Sequence, residues 1–418
     1  MRALEIVLPA DEAQLIKPIK TALETNKNFI KPIHRDNNGN IIIRTNVTTI
    51  PEYLTTFHIG NTTREYEFES ETISEHELLR FTRKWFETRA GRDVHESTIS
   101  DLINHTPFKY SKYPPLLLFN NSKERTFRHD IWSLVPQDVK NAYFNDVLSH
   151  LDDDENDPEH SLKFLGINKP ILETDVMRQP KNIDILYSKI PSSQDSDDIW
   201  CSLKQNGIWQ VWNPLYTMFS RGNIKEKKRV LDMFKATTAD MDVVDLYCGI
   251  GYFSFSYLMN NARNVFGFDL NKWSIEGLNR GLILNKFEQD KCHFFNTDNE
   301  KSIELLKEFR DEKLGGDRLK IRHINLGLLP SSKQGWPIAL KIIQNHNNSE
   351  IVPIVSLHIH ENVHIDQIED GSFVRDVVLP DLYDLESAFQ YKFTHLEKIK
   401  TFAPDVWHVC IDIDVICG

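Results

Sequence analysis

The chain has 418 residues, of which 40% are hydrophobic and 11% are aromatic. This length exceeds that of one ordinary domain, so we expect two or three domains with cores of their own. No apolar run approaches the roughly 20 residues that cross a bilayer, and the apolar stretch at the N-terminus is too short for a signal peptide. These features argue against a membrane protein and predict a soluble, cytoplasmic one.

The charge balance is acidic, but the basic residues are clustered. Lysine and arginine total 49 against 61 aspartates and glutamates, a formal net charge of −12. Such a chain is not an obvious polyanion binder, yet three basic clusters could contact the phosphates of a nucleic acid. The clusters are Arg80–Phe86 with Arg89 and Arg92, Lys109–Tyr113, and Lys123–Arg128. The first also fits an amphipathic helix with Trp85 and Phe86 buried, which is the interpretation we favour for these aromatics.

The first half of the chain divides into two regions. Residues 1–150 mix strand-like runs (LEIVL, IIIRTN) with a helical pattern over 71–91, which predicts an α+β region whose basic residues could contact a nucleic acid. An acid-rich, proline-containing break, LDDDENDPEHS, follows. Residues 151–212 contain KFLGINKPI and DIWCSLKQNGIWQVW, which predict a small β-rich connecting domain.

From residue 213 onward, near-continuous apolar strands alternate with helices. The strand candidates are 242–248, 264–270, 291–298, 321–328 and 354–362. This alternation is typical of a doubly wound parallel sheet. The C-terminal residues indicate a strand, a turn at Pro404-Asp405 and a second strand. We therefore predict an α/β fold in which 213–418 form a class I methyltransferase-like Rossmann domain with a mostly parallel seven-stranded sheet.

A glycine turn directly follows the first of these strands, in DLYCGIGYFSF. Gly249 and Gly251 let the backbone turn sharply and approach a ligand at a helix N-terminus expected near Tyr252. A dinucleotide fingerprint requires a third glycine where this chain has Ser254. S-adenosylmethionine is therefore the better fit, although Gly-x-Gly alone is weak evidence.

The next two strands also end on polar groups. Asp269 closes the second strand, where a carboxylate can accept hydrogen bonds from two ribose hydroxyls. Asp298 and Asn299 follow the third strand and could contact an adenine edge. Each residue alone would be read as a helix cap. Three consecutive strand ends with suitable groups favour a nucleoside pocket, because ligands bind outside the carboxyl ends of such sheets.

Four ordered motifs carry a resemblance to a known family. They are MFSRGNIKEKKR (218–229), DLYCGIGYF (245–253), NLGLLPSSKQGWPIA (325–339) and HIHENV (358–363). Together they resemble the tRNA wybutosine-synthesizing protein 2 family, which is related to the archaeal/eukaryotic-type tRNA guanine-N1 methyltransferases. The resemblance covers about residues 160–418 and is weaker over the first hundred or so.

This resemblance implies an unusual use of S-adenosylmethionine as co-substrate. The family transfers the 3-amino-3-carboxypropyl group, not the methyl group, and releases methylthioadenosine. The acceptor it implies is 4-demethylwyosine, a tricyclic guanine derivative next to the anticodon of phenylalanine tRNA. Residue by residue, it implies that Ser220 and Lys227 bind the cofactor, Asp269 its ribose, and Asp298 and Asn299 its adenine side. The chain departs from many relatives in having Asp269 in place of glutamate and Lys272 in place of proline.

The loop that follows Asn325 differs from the Asn-Leu-Pro motif of the related methyltransferases. We expect the longer loop to shape a pocket for a tricyclic base, with Asn325 orienting that base by hydrogen bonding. Trp336 either stacks on a flipped-out nucleotide or anchors the following helix, and the sequence does not separate the two. Asn325 should be needed for turnover but not for cofactor binding.

The sequence does not name a general base. His323, His360 and Glu361 lie near strand ends, but a strand histidine is more often packed in the core, and water could take the proton. His358 and His360 share a strand face without an evident third ligand, and the five cysteines form no Cys-x-x-Cys pair. We therefore predict no metal and reduced core thiols.

Two alternatives to the aminocarboxypropyltransferase stay open. One is a tRNA guanine-N1 methyltransferase of the same fold, against which the altered loop argues. The other is a non-catalytic tRNA-binding protein that retains a nucleoside pocket. The oligomeric state is not readable from the sequence, and a monomer is favoured.

Overall fold

The computed structural model describes residues 2–26, 28–36, 38–57, 59, 62–67, 76–88, 94, 96–153, 161–168, 183–190 and 199–417. By spatial clustering the chain separates into two compact units, Met1–Lys84 and Trp85–Gly418. Within the described residues, no helix combines the length and apolarity needed to span a membrane.

The first unit is built on a four-stranded sheet. Its strands are β1 (Arg2–Leu8), β2 (Phe29–Arg35), β3 (Ile41–Thr45) and β4 (Thr63–Glu67), in the order β2-β3-β1-β4. Its helices are α1 (Ile16–Thr25) and α2 (Glu52–Thr55), and the chain passes into the second unit within α3 (Glu77–Thr88). Alternating apolar residues of β1 and β3 pack with Ile19 and Leu23 of α1 into one core.

The second unit begins with helices and two small sheets. It opens with α4 (Glu96–His105), β5 (Tyr110–Tyr113), β6 (Leu116–Phe119) and α5 (Gln137–Leu151). The next strands are β7 (Phe164–Ile167), β8 (Asp184–Ser188), β9 (Cys201–Gln205) and β10 (Ile208–Trp212). Strands β5 to β8 form one sheet in chain order, and β9 and β10 form a hairpin. The former sheet takes strands from both sides of residue 150, so the domain division at 150 and 212 stays a prediction.

The remaining residues form the predicted Rossmann domain. Its strands are β11 (Asp242–Asp245), β12 (Asn264–Asp269), β13 (Cys292–Asn296), β14 (Ile321–Leu326), β15 (Ile354–His364), β16 (Gln390–Ala403) and β17 (Val406–Ile416). They lie in the order β13-β12-β11-β14-β15-β17-β16. The first five are parallel, and the terminal hairpin adds two antiparallel strands. The predicted fold class and the turn at Pro404-Asp405 are confirmed, while β11 to β14 end up to three residues earlier than predicted.

Helices cover both faces of this sheet. They are α6 (Ile224–Met233), α7 (Lys235–Thr238), α8 (Ser254–Met259), α9 (Lys272–Asn285), α10 (Ser302–Lys313), α11 (Trp336–His346), α12 (Ile365–Glu369) and α13 (Leu379–Leu385). Apolar residues of β11, β12, β14, β15 and β17 pack with α11 into one core. On the opposite face, α6 and α8 cover a layer of buried histidines and charged residues. The carboxyl ends of β11 to β14 meet at one edge, as in other doubly wound sheets.

Candidate active site

The glycine turn after β11 has the geometry that the sequence predicted. Gly249 and Gly251 adopt φ angles of 53° and 82°, in the left-handed region that glycine enters without strain. A Cβ on Gly251 would lie 2.7 Å from the Phe255 ring, so a side chain there would also clash. The helix begins at Ser254, two residues later than expected.

Asp269 joins the end of β12 to this turn. Its carboxylate accepts hydrogen bonds from the backbone N–H of Gly249 at 3.0 Å and of Asn271 at 2.8 Å. Burial raises the pKa of Asp269 to about 6, and these two hydrogen bonds act in the opposite direction. An ionised carboxylate has room for four hydrogen bonds, so two further donors such as ribose hydroxyls can be accommodated.

A second carboxyl lies beneath the turn. Asp245 is fully buried at the end of β11 and accepts a hydrogen bond from the Ser254 hydroxyl at 2.7 Å. Burial raises the pKa of Asp245 to about 6, and the neighbouring charge of Asp269 adds to the effect. Asp245 therefore holds the start of α8 against the end of β11.

The two residues predicted at the third strand end have different partners. Asp298 is exposed and accepts a hydrogen bond from the Glu300 N–H at 2.9 Å, so it caps the turn that follows. Asn299 donates through Nδ2 to the Leu246 carbonyl at 3.1 Å, which links the β13 end to the glycine turn. Their contacts with an adenine stay a prediction.

Lys227 is buried in α6, although a basic run such as 225–229 is ordinarily solvated. Its Nζ donates to Gln205 Oε1 at 2.5 Å and Gln210 Oε1 at 2.6 Å, both on the β9–β10 hairpin. The rings of Phe219 and Tyr252 lie 5.4 and 5.5 Å from the ammonium. Burial lowers the pKa of Lys227 to about 7. The ammonium thus has neutral partners here, and a carboxylate ligand would complete its pairing.

Ser220 is held beside the same turn. Its backbone N–H donates to the Tyr252 hydroxyl at 3.1 Å, and that hydroxyl donates to the Met218 carbonyl at 2.6 Å. Ser220 Oγ accepts a hydrogen bond from Lys400 Nζ at 3.1 Å. Lys400 is not predictable from the sequence, because no local pattern indicates that β16 lies beside the 218–229 motif.

Asn325 lies one residue before the end of β14 and is 1% exposed. Its Oδ1 accepts a hydrogen bond from the Tyr257 hydroxyl at 3.3 Å. Its Nδ2 is buried without a hydrogen-bond partner among the described residues. Because buried donors are seldom left unpaired, this atom is suited to donate to a bound base, as the sequence analysis expected.

Hydrogen bonds connect the loop after Asn325 to β15. Glu361 Oε1 accepts hydrogen bonds from the Ser331 hydroxyl at 3.0 Å and the Ser332 N–H at 2.8 Å. Trp336 is 1% exposed and donates through Nε1 to Ser332 Oγ at 3.2 Å. The stacking role suggested for Trp336 is therefore wrong, because its ring anchors the start of α11 in the core.

A buried polar network connects α6 with β14, β15 and β17. Arg229 lies between two acids: its Nη2 is 2.6 Å from Glu226 and its Nη1 is 2.6 Å from Asp412. His358 Nδ1 lies 2.7 Å from Asp412, and His358 Nε2 lies 3.0 Å from His323 Nδ1. Burial opposes ionisation of Asp412, yet His358 and Arg229 hold its pKa well below the ordinary value. Burial lowers the pKa of His323 well below its usual range, which makes it a poor general base.

Among the described residues, His358 and His360 do not share a group of metal-ligand atoms, although each belongs to one with residues of other elements. Side-chain ligand atoms of Glu226, His360 and Cys410 lie within 4.8 Å of one another. However, Arg229 Nη2 lies 3.5 Å from Cys410 Sγ and pairs with Glu226. A guanidinium already compensates the negative charge that a cation would need. The absence of a metal therefore stays our prediction.

The basic clusters are partly neutralised or buried. Trp85 and Phe86 are buried, as we favoured, and Trp85 Nε1 donates to Asp146 at 2.9 Å. Lys112 pairs with Asp153 at 2.7 Å. Arg89 and Arg92 lie outside the described residues, and an RNA surface on Arg80–Phe86 stays a prediction.

Comparison with solved structures confirms the fold. P. horikoshii TYW2, crystallised in complex with MeSAdo, superposes with a TM-score of 0.53 at 19% sequence identity. The match covers 81% of this chain and 100% of that one. Residues 202–312 also match the TRM5/TYW2 methyltransferase domain.

Sequence comparison shows the family. tRNA wybutosine-synthesizing protein 2 of Saccharomyces cerevisiae is 43% identical over 457 aligned residues, covering 97% of this chain and 96% of the relative. The Schizosaccharomyces pombe protein of the same name is 33% identical and covers 77% of this chain and 75% of the relative. The chain therefore belongs to the tRNA wybutosine-synthesizing protein 2 family and is an S-adenosylmethionine-dependent transferase that modifies tRNA.

Proposed function

We propose that this protein transfers the 3-amino-3-carboxypropyl group of S-adenosylmethionine to 4-demethylwyosine, next to the anticodon of phenylalanine tRNA. The carrying observation is the 43% identity, over nearly the full length of both chains, to a yeast protein named for wybutosine synthesis. The phenylalanine tRNA and its anticodon region are part of this proposal.

The reaction is a substitution at one of the three carbons bonded to a sulfonium. A ring carbon of the acceptor attacks the carboxypropyl carbon, and the electrons of the broken C–S bond return to sulfur. The sulfonium becomes the neutral thioether of methylthioadenosine, and the acceptor carbon loses its proton to water. Which of the three carbons reacts depends on which one is held against the acceptor.

Lys227 is the residue best suited to impose that pose. A buried ammonium with neutral amide partners attracts a carboxylate, and such a contact is charge-assisted and therefore strong. Binding the methionine carboxylate at Lys227 would fix the transferred arm beside Ser220, which shares Tyr252 as a neighbour. Asp269 would hold the ribose at the other end of the cofactor.

A tRNA guanine-N1 methyltransferase is the second candidate, because the TRM5/TYW2 domain is shared between both activities by name. The loop after Asn325 favours the first candidate, since its sequence departs from the methyltransferase motif. In both cases Asn325 would orient the base.

The test is the by-product released when the protein meets S-adenosylmethionine and phenylalanine tRNA carrying the tricyclic intermediate. Methylthioadenosine is expected, in amounts equal to the modified tRNA. Adenosylhomocysteine would instead support the methyltransferase. The matched control is phenylalanine tRNA with unmodified guanine at the same position, from which no by-product is expected.

A further inference from the structure

A second group of buried polar atoms without partners lies on β15 and β17, the strands that follow β14 and its Asn325 in the sheet order. Both Nδ2 and Oδ1 of Asn362 are buried without a hydrogen-bond partner among the described residues, and so is Nδ1 of His408. Buried side-chain polar atoms are usually paired, so each exception needs an explanation. Three such atoms on two neighbouring residues indicate a shared cause.

The two residues lie side by side on one face. In the antiparallel pairing of β15 and β17, Asn362 is directly opposite His408, and their side chains therefore point to the same face. His360, two residues earlier in β15, shares that face. Nδ1 of His360 lies 2.8 Å from Nε2 of His408, and this contact fixes the His408 ring. Nδ1 of His408 is then the remaining polar atom of that ring.

This pair adjoins residues already assigned to the site. Lys400 is opposite His408 in the β16–β17 pairing, and Lys400 donates to Ser220. The Phe253 ring, at the end of the glycine turn, stacks on His360 at a centroid distance of 5.0 Å. Asn362 also borders the loop after Asn325, because its N–H donates to the Pro330 carbonyl at 2.9 Å.

We propose that Asn362 and His408 form the subsite that binds the hydrogen-bonding edge of the acceptor base. This inference rests on the proposed function. A carboxamide offers a donor and an acceptor side by side, which matches the ring nitrogens and carbonyl of a guanine-derived tricycle. Lys400 is a positioning residue, because it connects this subsite to Ser220 at the cofactor.

A purely structural role predicts a different response to substitution. A carboxamide that stabilises the fold would have partners in the protein, and its loss would lower thermal stability. An unpaired buried carboxamide destabilises the fold, so an apolar residue of similar size should keep or raise the melting temperature. Loss of function with retained stability is the pattern expected of a binding residue.

The experiment compares Asn362→Leu and Asn362→Ala with the wild type and with Asn345→Ala, a change of an exposed asparagine on α11. For both Asn362 variants we expect kcat/KM for the acceptor tRNA to fall about 10- to 100-fold. Affinity for S-adenosylmethionine should stay within about twofold, and the melting temperature of Asn362→Leu should be no lower than that of the wild type. A kcat/KM unchanged in either soluble variant, as expected for Asn345→Ala, would overturn the inference. So would a loss of cofactor binding and stability together.

A second readout separates this inference from the proposed function. If the wild type releases no methylthioadenosine, the proposed function fails, and the subsite is tested by tRNA binding alone. The wild type should then bind tRNA carrying the tricyclic base more tightly than tRNA with unmodified guanine, and Asn362→Leu should lose this preference. An equal preference in both proteins would contradict the subsite.

Discussion

The cofactor side and the acceptor side of the catalytic sheet differ in how their polar groups are satisfied. At the ends of β11 to β13, side chains bond to the backbone around the glycine turn, as Asp269 does with Gly249 and Asn299 does with Leu246. Near the ends of β14 and β15, amide atoms of Asn325 and Asn362 are buried without partners among the described residues. Hydrogen bonds from side chains to the backbone hold the cofactor side in shape. On the acceptor side, Asn325 and Asn362 offer unpaired amide atoms to a ligand.

This difference has an energetic meaning. An unpaired buried amide costs about 1–3 kcal/mol, which a fold does not retain without compensation. On the same sheet, Arg229 pairs with Glu226 and Asp412, and Asp412 contacts His358. A rigid polar support allows neighbouring amides to stay oriented without partners of their own.

The largest effect is expected from breaking the buried ion pairs of Arg229. Arg229→Ala removes the guanidinium and leaves two buried acids uncompensated, so the free energy of unfolding should fall by about 3–5 kcal/mol. Chemical denaturation followed by tryptophan fluorescence would measure it. The control is Arg375→Ala, whose ion pair with Asp376 is exposed, and which should unfold like the wild type. A similar stability in both variants would mean that the buried network does not hold the acceptor side.

The next effect tests the cofactor side. Asp269→Ala removes the acceptor of two backbone N–H groups and of the expected ribose hydroxyls. Two hydrogen bonds to a charged acceptor are worth enough to raise the dissociation constant for S-adenosylmethionine about 100-fold. Calorimetric titration would measure it, with the exposed Asp311→Ala as control. Unchanged affinity in Asp269→Ala would show that the nucleoside binds elsewhere.

Asn325→Ala should separate the two sides. Its unpaired Nδ2 is expected to bond to the base, so kcat/KM for the acceptor tRNA should fall about 30-fold. The dissociation constant for S-adenosylmethionine should stay within about twofold, because Asn325 has no bond to the glycine turn through its side chain. Steady-state kinetics and calorimetry on the same preparation would check both values. Lost cofactor affinity would erase the distinction between the two sides.

Cofactor binding should depend on pH in a bell-shaped way. Asp269 has a pKa raised to about 6, so it loses its charge as pH falls through 6 and becomes a poorer acceptor. Lys227 has a pKa lowered to about 7, so it loses its charge as pH rises through 7 and no longer attracts a carboxylate. Affinity should therefore be greatest between about pH 6 and 7 and should fall by up to about tenfold per pH unit outside that range.

Calorimetry between pH 5 and 9 would measure this profile. Asp269→Asn should flatten the acidic limb and Lys227→Met the alkaline limb, each leaving the other limb in place. A flat profile in the wild type would contradict the roles given to both residues. The free energy of unfolding depends on pH in a different way. Because the pKa of Asp269 is raised in the folded state, its contribution to stability is fully present below about pH 4 and is lost as pH rises through 6.

The sequence predicted the Rossmann domain well because its signals are local. Apolar strands, the glycine turn and the polar strand ends are each contained in a few residues, and parallel sheets bring such ends together by a general rule. Lys227 and Ser220 were located by family resemblance, since a basic run such as 225–229 is ordinarily solvated.

The acceptor side was harder to predict, because its contacts join residues far apart in the chain. Arg229 on α6 forms an ion pair with Asp412 on β17. Asn362 is opposite His408 because of the register between β15 and β17, which no local pattern specifies. Trp336 was left ambiguous because a tryptophan after a loop is compatible with either stacking or anchoring. Its burial depends on packing that the sequence does not encode locally.

Carboxypropyl transfer is tested by labelling the methyl and the carboxypropyl carbons of S-adenosylmethionine separately. One preparation carries a label in the methyl carbon and another in the carboxypropyl carbons, and each is incubated with the protein and tRNA bearing the tricyclic base. We expect the carboxypropyl label to enter the tRNA nucleoside and the methyl label to leave with the nucleoside by-product. Entry of the methyl label into the tRNA would contradict this expectation and would assign the site to methyl transfer.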